Sequence, residues 1–115
     1  VEAWHAGKSF HLGRVNLNHY SIGIELDNLG KLRREGDKFI AECGKEVPAS
    51  EVFVDEQEDQ PTYWHRYPET QLRTVVLVCA LLSEHYPIRY LLRHSDITPR
   101  KIDPGPAFPQ EILEM

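Results

Sequence analysis

Apolar residues at Leu72, Val75, Val76, Cys79 and Leu82 follow the i, i+3, i+4, i+7 rhythm that lines one face of an α-helix, while Gln71, Arg73 and Glu84 take other faces. The pattern predicts a helix within residues 62–86. Pro68, with its fixed φ and missing N–H, suits the first turn, and Pro87 ends the run. The apolar face is expected to pack on a sheet. A period of two runs through residues 21–26, where Ile22, Ile24 and Leu26 alternate with Ser21, Gly23 and Glu25. This predicts a strand with one oily face, Gly23 leaving room for close approach beside Glu25.

Weaker patterns fill the rest. Residues 1–13 read as loop, and 27–36 as a turn and solvated hairpin tip bracketed by Asn28, Gly30 and Gly36. Residues 39–43 predict a short strand, 47–54 an irregular segment broken by Pro48, and the acidic run 55–61 an exposed loop. Residues 89–93 predict a short strand, and 109–115 a short terminal helix.

The 115 residues allow one small domain, and 41% hydrophobic with 27% charged residues is the balance of a folded chain. Net charge is −5, and the basic residues are scattered apart from Lys31, Arg33 and Arg34. Nucleic acid and anionic membrane surfaces need a concentrated basic face and are disfavoured as partners. No apolar run reaches the roughly 18 residues of a membrane span, and no signal peptide is visible. Of the two cysteines, Cys79 falls on the helix's apolar face, which favours a buried free thiol over a disulfide with Cys43. Walker loops, G-x-G-x-x-G, G-x-S-x-G and C-x-x-C are absent from the sequence, which weakens nucleotide-enzyme, serine-hydrolase and zinc-ribbon readings.

Candidate chemistry concentrates in residues 94–108, HSDITPRKIDPGPAF. Pro99, Pro104 and Pro106 remove backbone donors and push the preceding residues toward extended geometry, so a stiff loop without helix or strand is expected. It carries His94, Asp96, Lys101 and Asp103. His94 and Asp103 offer the N and O donors that suit zinc, with Lys101 two residues before the carboxylate. A solvated turn of the same composition is the competing reading. Asp96 is a candidate to hold the ring of His94 or to cap a turn, and the cap is favoured.

Taken with AWHAG at residues 3–7 and NHYSIGIEL at 18–26, this loop closely resembles the zinc-dependent N-acetylmuramoyl-L-alanine amidases, a family that includes phage lysozyme-type amidases and is related to the peptidoglycan recognition proteins. The resemblance implies an α/β fold with a central mixed sheet flanked by helices. Residues 1–115 would form a single amidase-like catalytic domain that is N-terminally incomplete, since the family's first strands and a histidine ligand fall upstream of AWHAG. It implies Zn2+ as cofactor, His94 and Asp103 as zinc ligands, Lys101 as the cation facing the scissile carbonyl, and Glu25 as the residue that handles the proton. The candidate substrate-binding residues are Trp4, His5, Asn18 and Trp64. For His5 a partly buried, chemically silent histidine is an equal alternative, and for Trp64 ordinary packing is. The implied activity is hydrolysis of the amide between the lactyl group of N-acetylmuramic acid and L-alanine of the stem peptide, with peptidoglycan or muropeptide as partner. Two alternatives remain: a non-catalytic peptidoglycan-binding module of the same fold, and an interaction domain whose Pro-rich loop merely packs on the helix.

Overall fold

The computed structural model describes Ala6, residues 10–15 and residues 20–115. The chain forms two compact units, Val1–Leu26 with Leu92–Pro104, and Asp27–Leu91 with Gly105–Met115.

The second unit is built on a five-stranded sheet. Its strands are β3 (Lys31–Glu35), β4 (Lys38–Ala41), β5 (Glu46–Val47), β6 (Val52–Asp55) and β7 (Thr62–His65), in the order β5-β4-β3-β7-β6. Every pairing in it is antiparallel. The α/β class holds; where the resemblance implied a mixed sheet, the strands among the described residues pair antiparallel. Neighbours such as β3 and β4 are joined by two residues, Gly36 and Asp37, which is too short for a parallel crossover. Gly36, at φ 64°, opens that turn as a II′ hairpin requires.

Residues 27–36 are therefore not a hairpin tip. Lys31–Glu35 is a strand in which Leu32 alone is buried, opposite Ala41 on one side and Tyr63 on the other. Leu32, Ala41, Val47 and Val52 form the core cluster, with Leu29, Phe39 and Tyr63 packed against it. The Phe39 and Tyr63 rings lie 5.1 Å apart, and the Arg34 guanidinium stacks 5.9 Å from each. Residues 47–54 are also more regular than expected, because Pro48 precedes a 3-10 turn, Ala49–Glu51, that leads directly into β6. Residues 56–61 are an exposed loop, as predicted.

Helix α1 (Glu69–His85) follows Pro68 and stops where Tyr86, extended at φ −133°, precedes Pro87. Val75 is buried and Leu72, Val76, Cys79 and Leu82 are half-buried, so the covered side is the one the periodicity predicts. Cover is thin, however, since Leu77 and Leu81 are open to solvent. A second short helix of this unit, α3 (Gln110–Leu113), follows Pro109 and buries Ile112. No helix among the described residues is long and apolar enough to cross a membrane.

In the first unit, β1 (Phe10–His11) and β2 (Arg14–Val15) form a ribbon where a plain loop was expected. Leu12 (φ 49°) and Gly13 (φ 80°) make the turn, both in the left-handed region that two-residue hairpins use. Residues 21–26 do not form the predicted strand. Alternation supplies a face but not a ladder partner; none of the strands among the described residues pairs with this segment, and Ile22 and Ile24 are exposed. Residues 89–93 likewise form no strand. The loop after them does contain one helical turn, α2 (His94–Ile97), because the prolines begin only at Pro99.

Candidate active site

Helix α2 positions the imidazole. Arg93 is extended at φ −78°, ψ 153°, the chain turns helical at His94, and the Asp96 carboxylate accepts the Arg93 N–H at 2.9 Å. Asp96 is thus the cap, not the partner of the His94 ring. The turn closes with the Thr98 N–H donating to the His94 carbonyl at 3.2 Å, and Thr98 is buried. Lys101 N–H then donates back to the Thr98 carbonyl, turning the chain toward Asp103.

Two contacts bring Asp103 onto the first turn of α2. The Ser95 N–H donates to the Asp103 carbonyl at 3.1 Å, and the His94 Nδ1 lies 3.0 Å from Asp103 Oδ2. An imidazole nitrogen and a carboxylate oxygen therefore converge from positions nine residues apart. Without a metal this is an N–H···O bond. Two donors bound to one tetrahedral zinc at about 2.0–2.1 Å stand roughly 3.3 Å apart, so the pair needs to open by only a few tenths of an ångström to share an ion. The donor set fits zinc. No third His, Cys, Asp or Glu joins the pair among the described residues. The other ring nitrogen, expected to be held by a carbonyl or carboxylate, has no such partner among them.

Glu25 and Lys101 lie in the same compact unit as the pair. Both are exposed, and neither side chain makes a hydrogen bond or ion pair among the described residues. Trp4, His5 and Asn18 lie outside the described residues. Trp64 is buried at 8% exposure in the second unit, its Nε1–H donating to Thr62 Oγ1 at 2.9 Å and Lys31 Nζ 5.8 Å from its ring. A Cβ on Gly105 would stand 2.7 Å from Trp64 Cε3 and Cζ3. Packing, the alternative left open for Trp64, is what this environment describes. Sequence reasoning missed the Ser95–Asp103 tie, which is made by backbone atoms and leaves no mark in residue types. It also missed the polar junction of Asn28, His65 and Gln71, whose one signal is the turn-forming Asn28-Leu29-Gly30.

An imidazole and a carboxylate are thus drawn together in a proline-bounded loop of an α/β chain, and comparison with known proteins supplies the family. The family model for N-acetylmuramoyl-L-alanine amidase matches residues 1–106, and the chain belongs to that family. It is 34% identical over 112 residues to the N-acetylmuramoyl-L-alanine amidase AmiD of Escherichia coli K12, covering 96% of this chain and 33% of AmiD. It is 33% identical over 109 residues to the 1,6-anhydro-N-acetylmuramyl-L-alanine amidases AmpD of Enterobacter cloacae and of Escherichia coli K12, covering 92% of this chain and 41% and 42% of those proteins. The chain thus spans well under half the length of these relatives. No solved structure matches it significantly.

Proposed function

We propose that residues 1–115 belong to the catalytic domain of a zinc-dependent N-acetylmuramoyl-L-alanine amidase, which hydrolyses the amide between the lactyl group of N-acetylmuramic acid and L-alanine of the stem peptide. The observation that carries this reading is the convergence of His94 Nδ1 and Asp103 Oδ2 at 3.0 Å in a chain of this family.

An amide resists hydrolysis because water is a poor nucleophile and the carbonyl oxygen must accept negative charge. His94 and Asp103 would hold zinc, which when bound supplies Lewis acidity, polarising a carbonyl and acidifying water. Zinc sites of this chemistry take three protein groups, of which these are two. The Glu25 carboxylate takes the proton of the attacking water and returns it to the leaving amine. The Lys101 ammonium stabilises the charge that develops on the carbonyl oxygen. With no other side-chain partner among the described residues, both groups are available for these roles.

The test pairs elemental analysis for zinc with an amidase assay on a muramyl peptide, with and without chelator. Bound zinc and chelator-sensitive release of the peptide are expected. A metal-free protein that binds the muropeptide without cleaving it would overturn the reading in favour of a binding module.

A further inference from the structure

A cavity of about 260 Å³ lies in the second unit, lined by the Asp27–Asn28–Leu29 segment, by residues 45–48, and by Glu51 and His65. The His65 ring joins two parts of this wall. The Leu29 N–H donates to its Nδ1 at 3.0 Å, and its Nε2 lies 3.3 Å from Glu51 Oε1. A backbone N–H can only donate, so Nδ1 must carry a lone pair. The proton of the neutral ring is then on Nε2, where the carboxylate accepts it.

A second proton has one place to go. It must add at Nδ1, which would set two N–H groups head to head across 3.0 Å. The ring cannot be charged and keep the Leu29 bond. The charged groups around the cavity are Glu51, which touches the ring, Asp27 and Glu46 further along, and Lys45. The neighbouring Arg66 is turned away, its Nε donating to the Val52 carbonyl and its guanidinium lying over Phe53.

We propose that His65 is a proton-operated latch on the Leu29 amide in the cavity wall: neutral, it holds that amide; protonated, it releases it. The flanking ties do not titrate. Asn28 Nδ2 donates to the His65 and Arg66 carbonyls at 3.2 and 3.3 Å, its Oδ1 accepts the Gly30 N–H at 2.8 Å, and Gln71 Nε2 donates to the Asp27 carbonyl at 3.0 Å. Release is therefore local to Leu29.

The experiment is NMR on the full chain across the range in which imidazoles change charge, roughly pH 5 to 8. At the upper end the His65 nitrogens should report the Nε2–H tautomer and the Leu29 amide should be protected from exchange. Its protection factor should fall at least tenfold with the same midpoint as the ring, while that of the Gly30 amide stays flat. Glu51→Gln removes the nearest charge that favours the protonated ring and should move both midpoints to lower pH together. An Nδ1–H tautomer, a ring that stays neutral throughout, Leu29 protection that ignores the ring's titration, or a Glu51→Gln midpoint unmoved or raised would each overturn the latch.

Discussion

Gly105 illustrates how much one residue can be asked to do. Its φ is +75°, and an added Cβ would stand 2.7 Å from the buried Trp64 ring. Left-handed backbone alone costs a side-chain-bearing residue about 1–2 kcal/mol, and the indole in the way is buried. Gly105→Ala should lower the free energy of unfolding by roughly 2 kcal/mol or more, measured by urea denaturation. Lys101 invites the opposite experiment, since it is exposed and its side chain holds nothing else in place among the described residues. Lys101→Ala should keep its zinc and its stability while kcat falls about 10²–10³-fold; an unchanged rate would remove it from the mechanism. The cysteines are both free. Burial pushes the Cys79 thiol above its ordinary pKa, so at any given pH it holds less thiolate than an exposed thiol does. One equivalent of a thiol reagent is expected to react quickly, at exposed Cys43, and the second slowly until denaturant is added. The Cys79 rate should keep rising with pH beyond the ordinary thiol range. At this scale the sequence was most informative about His94 and Asp103, whose residue types already specify an N and an O donor. It was uninformative about Trp64, since an aromatic before a helix suits a groove rim and a core equally well.

Among the elements, α1 was legible because five apolar positions keep a 3.6-residue period over three turns, and Pro68 and Pro87 mark its limits. Strand β3 was not. Four of its five residues are charged and only Leu32 points into the core, so the stretch reads as wet turn unless the cross-strand partners Ala41 and Tyr63 are known. The converse error, at residues 21–26, has the same origin: alternation in sequence says which face is oily but not whether a neighbour supplies the ladder. The burial contrast yields a paired prediction. Leu32→Ala, at 4% exposure, should cost about 2–5 kcal/mol, whereas Leu77→Ser, at 61%, should stay within about 1 kcal/mol of the parent; equal losses would contradict this assignment of the core.

Across the whole molecule, the blocks that carried the resemblance fall almost entirely in one compact unit. AWHAG, NHYSIGIEL and HSDITPRKIDP lie within Val1–Leu26 and Leu92–Pro104. The five-stranded sheet belongs to the other unit, in the interval between those blocks, where only local patterning was available and short charged strands defeated it. The family was therefore easier to read than the architecture. A ligand that binds only the folded chain adds stability as RT ln(1 + [L]/Kd), about 2.7 kcal/mol at a hundredfold excess over Kd. Zinc should accordingly raise the melting temperature and a chelator should reverse the rise; a transition indifferent to both would count against a metal centre. The Ser95 amide bears on how tightly such an ion is held. Closing a flexible loop of about nine residues costs on the order of (3/2)RT ln 9, or about 2 kcal/mol, equivalent to roughly thirtyfold in affinity. Because main-chain hydrogen bonding already folds Asp103 back onto α2, that entropy is lost when the chain folds and not when the ion arrives. For an ion held by His94 and Asp103, the loop would in this respect be a chelate ring closed in advance.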